Sequence, residues 1–195
     1  MPVECRALSQ PSSPPKRQDA ARNRSKLITA AREVFAELGP DAPLEEVATR
    51  ASVSRMTLYR NFASRQELAT EIYARDVAKI EEFSTRVHGS ERGIIDLFEF
   101  VLGMVLDDRS LFHIVSSPEI EWYEELVTRM TKAFKPLVKA GKQAGLVRTG
   151  TTVDDFRLAF AMAQAGMNNN AASRERQAKR RIRRLLFSAL FTEEA

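Results

Sequence analysis

The chain has 195 residues, 44% hydrophobic and 29% charged, with 30 Lys and Arg against 26 Asp and Glu and a net charge of +4. That balance excludes a disordered chain and allows one large hydrophobic core or two small ones. The single cysteine, Cys5, excludes an internal disulfide, and the longest apolar stretch, 94–106, is short for a membrane span and is broken by Asp96 and Glu99. Residues 1–10 lack the apolar core of a signal peptide, so a cytoplasmic protein with no membrane partner is expected.

Residues 1–18 are expected to form a disordered basic tail, because the Pro/Ser stretch from Pro11 to Pro15 cannot continue a helix and buries nothing. The first helix is predicted from Asp19 to Leu38, with Leu27, Ala31, Val34, Phe35 and Leu38 on one face and Gly39-Pro40 ending it. Asp41 is expected to cap a short helix that has Pro43 in its first turn and Leu44, Val47, Ala48 and Ala51 as its apolar stripe. A tight turn, Ser52-Val53-Ser54, leads into a second short helix from Arg55 to about Phe62, with Ser54 as its N-cap. Ser64 and Glu67 have the spacing of a capping box at the head of a longer helix carrying Leu68, Ile72, Val77, Ile80 and Phe83. Further helices are predicted at about 91–107, 109–115, 118–144, 153–171 and 173–191. No β pattern is evident, so the fold class is all-α with about nine helices.

Charge is segregated along the chain. Residues 16–32 hold six basic residues and one acid; residues 174–184 hold seven and one; residues 67–125 hold 14 acids against five bases. Basic ends suit a polyanion that the acidic middle would repel, although each run also suits a solvated helix face.

Two short helices joined by a three- to four-residue turn have the form of a helix-turn-helix, whose second helix enters a DNA major groove. Leu58 and Phe62 are four residues apart and bury together, while Arg55, Met56, Thr57 and Arg60 point elsewhere and Tyr59 suits a phosphate. The same spacing suits a helical corner in a bundle core. The residue string separates these readings. Ala30-Ala31-x-x-x-Phe35-x-x-x-Gly39, Leu44-x-x-Val47-Ala48, Ala51-x-Val53-Ser54, Thr57-Leu58-Tyr59-x-x-Phe62 and Ser64-Arg65-x-Glu67-Leu68 occur in order over about 45 residues. From Arg24 to Leu68 the chain resembles the DNA-binding domain of the tetracycline-repressor (TetR) family of bacterial regulators.

The resemblance implies a DNA-binding domain at 19–68 and a ligand-binding and dimerisation domain at 69–195, in a homodimer on a palindromic double-stranded operator. It places Ser54, Arg55, Met56, Thr57 and Arg60 on the recognition helix, with Arg55, Met56 and Thr57 toward bases. Tyr59 and Arg65 fall at phosphate-contacting positions. Separately, Lys16, Arg17, Arg22 and Arg24 form a basic arm at the start of the first helix that suits phosphate or minor-groove contact, as in other helix-turn-helix proteins, or a solvated tail. Pro43 and Leu44 depart from the family's backbone-contacting threonines, Met56 stands where many members have Gly, and Asn61 replaces a frequent histidine.

In the second half, the helix at 153–171 is apolar on two sides: Phe156, Ala159, Phe160 and Ala163 on one, Leu158, Met162 and Ala165 on the other. One side suits a core and the other a second subunit. The last helix repeats Ala178, Ile182, Leu185, Leu186 and Ala189, with arginines opposite. Phe156, Phe160, Ile182, Leu185, Leu186 and Ala189 are the expected dimer contacts. Phe98, Met104, Phe112, His113, Trp122, Met130, Phe134 and Met162 are candidates to line a pocket for a small-molecule effector, although aromatic and methionine stripes are more often plain core and a histidine among them more often a satisfied buried one.

Two histidines and one cysteine leave no Cys/His nucleophile pair and no zinc cluster, and no phosphate-binding glycine loop occurs. No catalytic residue, cofactor or metal is expected. The leading reading is a transcriptional regulator, a repressor released by a small molecule; the alternative is an all-α scaffold whose basic ends bind acidic partners without sequence specificity.

Overall fold

The computed structural model describes residues 15–39, 41–107, 121–168 and 175–192. Among them are eight helices: α1 (Pro15–Leu38), α2 (Leu44–Arg50), α3 (Arg55–Asn61), α4 (Arg65–Arg86), α5 (Gly93–Asp107), α6 (Glu121–Gln143), α7 (Val153–Asn168) and α8 (Glu175–Leu190). The short helix expected near 109–115 lies outside the described residues, with Phe112 and His113. The fold class is all-α.

Local chemistry sets most helix ends. Helix α1 starts a turn earlier than the apolar periodicity indicated, at Pro15, because a proline at a helix start forfeits no intrahelical hydrogen bond. It stops at Gly39, whose φ of 87° is the left-handed conformation that glycine adopts freely. The expected cap at Asp41 is not formed: Pro43 occupies the N-cap position of α2 and no side chain caps that helix. Between α2 and α3 the chain turns at Ser52 (φ 54°), and the Val53 amide donates to the Ala48 carbonyl at 3.0 Å. Ser54 then caps α3, its Oγ accepting from the Thr57 amide at 3.1 Å. At α4 the Ser64 Oγ accepts from the Glu67 amide, and the Glu67 carboxylate accepts from the Ala63 amide, one residue before the position of a standard capping box.

Two hydrophobic cores share α4. Leu27, Ala31, Val34 and Phe35 of α1, Val47 and Ala48 of α2, Leu58 of α3 and the adjoining Phe62 close on Leu68 and Ile72. Ile80, further along the same helix, belongs to the second core, with α5, α6, α7 and α8. The expected division at 68/69 therefore falls inside a continuous helix. Polar ties add to the junction of α4 with α6: the Arg129 guanidinium bonds both oxygens of Glu81 at 2.9 and 2.6 Å, and buried Ser84 donates to the Ala133 carbonyl at 2.7 Å. Gly141 lets α6 approach α5 closely, since a Cβ there would stand 2.6 Å from Ile94 Cγ2. After α6, Val147 forms an isolated antiparallel bridge with Phe191, which fastens the end of α8 to the segment before α7.

Candidate nucleic-acid interface

The short helix α3 is held from behind and open in front. Leu58 and the following Phe62 are buried in the first core. Arg55, Met56, Tyr59 and Arg60 are exposed, and Thr57 is half-buried. The division follows from the helical repeat, because positions 58 and 62 share one face while 55, 56, 59 and 60 spread over the rest. The exposed face thus offers two guanidinium forks, a phenol and a thioether, with no acidic residue on the helix. Ser54 spends its Oγ on the helix, accepting from the Thr57 amide and meeting the Thr57 hydroxyl at 2.9 Å. It orders the N-terminus of α3.

Arg24, expected in a basic arm suited to DNA, is engaged within the subunit. Its Nη1 donates to the Asn61 carbonyl at 2.8 Å, its Nη2 to Glu71 at 2.9 Å, and its guanidinium carbon lies 4.3 Å from the centre of the Phe62 ring. The guanidinium joins α1, the end of α3 and α4, and the Glu71 carboxyl is held below its ordinary value chiefly by that hydrogen bond. Asn61, which carries no signal in the sequence alone, closes the same end: its amide donates to the Thr57 carbonyl at 2.8 Å while its own carbonyl receives Arg24. Arg32 makes a second bridge from α1 to α4, at 2.6 Å from Asp76. Arg22 is exposed and lies 3.9 Å from an equally exposed Asp19, a pair of little energetic consequence. Arg65 is half-buried at the head of α4, where its Nη2 approaches the Asp41 carbonyl at 3.4 Å and its guanidinium stands 5.7 Å from the centre of the Phe35 ring.

The expected pocket residues scatter. Phe98 and Phe134 are fully buried in a phenylalanine cluster with Phe156, Phe160 and Phe191, whose ring centres lie 5.3–6.0 Å from Phe98. Met104 and Met130 are half-buried against that core. Met162 is 58% exposed on the outer face of α7. Trp122 lies on α6, but its side chain is outside the described ones.

The dimer set is also redistributed. Phe156 and Phe160 are 0% and 6% exposed and Leu186 is 7% exposed, all three within one subunit's core. They leave almost no area for a partner. The outward stripe consists of Leu158 and Met162 of α7 and Leu185 of α8, with exposures of 59%, 58% and 56%, flanked by exposed Ala165 and Ala189. Ile182 is half-buried between α8 and α7, its Cδ1 3.0 Å from where a Cβ on Gly166 would lie.

No described helix is long and apolar enough to cross a membrane. The family model of the bacterial regulatory proteins of the tetR family matches residues 27–72, the segment that builds the first core and α3. An uncharacterized HTH-type transcriptional regulator, TtgW, of Pseudomonas putida is 31% identical over 110 residues, which span 56% of this chain and 75% of that protein. The fold matches a TetR transcriptional regulator from Streptomyces coelicolor with a TM-score of 0.61, at 23% identity over 87% of this chain and 99% of that one. It matches the TetR family protein CprB from S. coelicolor with a TM-score of 0.63, at 16% identity over 90% and 91%. SmeT in its triclosan complex matches with a TM-score of 0.56, at 17% identity over 88% and 92%. The helix-turn-helix, the all-helical body behind it and these likenesses agree: the chain belongs to the TetR family of bacterial regulatory proteins and is a DNA-binding transcriptional regulator.

Proposed function

We propose that the protein is a repressor that binds a palindromic operator as a homodimer and leaves it when a small molecule enters the C-terminal domain. The observation that carries the reading is α3, whose polar face stands open while Leu58 and Phe62 lock its back into the first core. Arg55 and Thr57 read base edges; Tyr59 and Arg65 hold phosphates, and Met56, 64% exposed, packs on a thymine methyl. The outward stripe of Leu158, Met162 and Leu185 supports a two-fold dimer, because three large apolar side chains on adjoining helices are a costly surface for a monomer.

The fold neighbour SmeT is named with triclosan, which supports a mostly apolar effector for this chain too. The effector lodges between α5, α6 and α7, at the flank where Met104 and Met130 are only half-buried against Phe98 and Phe134. The acidic residues around that domain favour a neutral or cationic molecule over a strong anion. The effector acts by binding the DNA-free conformation more tightly, with a coupling of about 1–3 kcal/mol, and operator DNA weakens effector binding by the same factor.

Selection of bound duplexes from random DNA tests the reading. A recovered palindrome is expected. Salt-dependent binding with no sequence preference would overturn it in favour of an acidic-partner scaffold.

A further inference from the structure

Helix α8 carries six basic residues, and their partners differ around the helix. Lys179 bonds Asp107 at 2.8 Å and Glu175 at 3.0 Å, and Arg183 bonds Glu99 at 2.9 Å, so α5 neutralises one side of the helix. Arg180 and Arg184 stand on successive turns of the next side and have no acidic partner within 4 Å among the described residues. Arg148 joins them from the segment after α6. Its Nε donates to the Ser188 carbonyl at 2.9 Å, which fixes its guanidinium over the end of α8. Between these cations is an open cleft of about 570 Å³, floored by the half-buried ring of Phe187, which packs on the fully buried Phe191 with ring centres 4.7 Å apart; the Glu99–Arg183 pair closes its α5 side.

Like charges one helical turn apart repel, and an internal acid would relieve them as Glu99 relieves Arg183. Glu99, the acid that lines the cleft, is taken by Arg183, and among the described residues no acid bonds Arg180 or Arg184, which with Arg148 border the apolar floor. That combination suits a small molecule with an oxyanion at one end and an apolar body at the other: guanidinium forks match carboxylate and phosphate geometry, and a ring floor takes hydrocarbon. The cleft is on the outer side of α8. Neither the half-buried methionines of the effector reading nor Leu185 and Ala189 of the dimer reading line it.

We propose that this cleft is a second ligand site, distinct from the interior effector site, which binds an amphipathic carboxylate or phosphate monoester through Arg148, Arg180 and Arg184. The probes are decyl phosphate, decanoate, decanol and inorganic phosphate, titrated calorimetrically into the full chain below micelle-forming concentrations. One amphiphilic anion per chain is expected to bind, and the two headgroups distinguish a phosphate from a carboxylate ligand. Decanol and inorganic phosphate bind at least about tenfold more weakly, since each lacks one half of the recognition. Arg180→Ala/Arg184→Ala lowers the anion's affinity about tenfold or more. Arg148→Ala, which lies off α8, lowers it as well, and circular dichroism and light scattering check that each variant keeps its fold and oligomeric state. Affinity within about twofold of the parent in both variants places the anion elsewhere and overturns the site. Equal affinity for inorganic phosphate reduces it to an adventitious ion only, and equal affinity for decanol to an apolar pocket elsewhere. Failure of both anions to bind, with loss of random-duplex binding in the double variant, makes the strip a nucleic-acid surface and overturns the small-ligand assignment.

Discussion

Arg24 donates from both ends of its guanidinium and lies over Phe62, so its removal frees the end of α3 from α1 and α4 together. Arg24→Ala is expected to weaken binding to every duplex by a similar factor and to leave the slope of affinity against salt unchanged, because no phosphate contact is lost. Arg24→Lys restores charge without the fork and recovers part of the loss. Arg65→Ala, in contrast, reduces the salt slope by about one, and Arg55→Ala relaxes preference at particular base pairs worth about 1–3 kcal/mol each. Filter binding over a range of salt, on operator and random duplex, separates the three; a slope change for Arg24→Ala would make that residue a phosphate ligand. The same site sets an acid limit. Glu71 is held below its ordinary value by Arg24, and a carboxylate with a depressed folded pKa adds stability that is fully present above its unfolded value and lost as pH falls through the folded one. Urea midpoints from about pH 6 down to about pH 3 should therefore fall less steeply for Glu71→Gln than for the parent. Identical slopes would show that Glu71 adds nothing to acid sensitivity.

Among the elements, α6 contains an internal proline. Pro136 has no amide to give the Lys132 carbonyl and crowds it, yet the helix runs unbroken from Glu121 to Gln143. Its neighbours Leu137, Phe134 and Ala133 are buried, whereas Pro136 itself is exposed. Packing of that inward face holds the helix through the defect. An interior proline costs roughly 3 kcal/mol, and loss of its restraint on the unfolded chain takes back about 0.4–1 kcal/mol. Pro136→Ala is thus expected to stabilise the protein by about 2 kcal/mol. A thermal midpoint that rises confirms the estimate; one that falls would mean that the proline ring contributes more to the fold than its missing hydrogen bond costs. Helix α4 differs, since each half of it is tied to a different core. Glu71 and Asp76 bond α1, while Glu81 and Ser84 bond α6. In the proposed mechanism, α4 is the element expected to carry a displacement of α6 to the DNA-binding domain.

For the whole molecule, the outward stripe on α7 and α8 is the surface on which the proposed second copy is expected to bind. Leu186 is turned into the subunit's core, so a glutamate there would unfold the chain before it reported on any dimer. Leu185→Glu and Leu158→Glu put the charge on the exposed stripe instead. Each is expected to give a folded monomer by light scattering and to lose operator affinity steeply, because two half-sites are no longer held at a fixed spacing. A variant that stays dimeric and binds DNA normally would move the interface elsewhere.

Most, though not all, local features were determined by sequence alone: the cap expected at Asp41 is not formed, while those at Ser54 and Ser64 are. Ser54 and Ser64 cap because their hydroxyls satisfy amides three residues on, and Gly39 ends α1 because a left-handed residue is needed there; neither depends on distant chain. The recognition helix was legible for the same reason, since the repeat of Leu58 and Phe62 defines its buried face. Two matters were settled only by tertiary structure. The first is the facing of α7, which has apolar residues on both sides. The Phe156 and Phe160 side was chosen because its rings fill the space among Phe98, Phe134 and Phe191, a fit of volumes between helices far apart in sequence. The second is Arg24. Nothing in the sequence signals its internal bonds, because its partners Asn61 and Glu71 are 37 and 47 residues away and reach it only where α3 and α4 pack across α1. Periodicity reports which face of a helix is apolar; which distant group meets that face depends on how the helices pack.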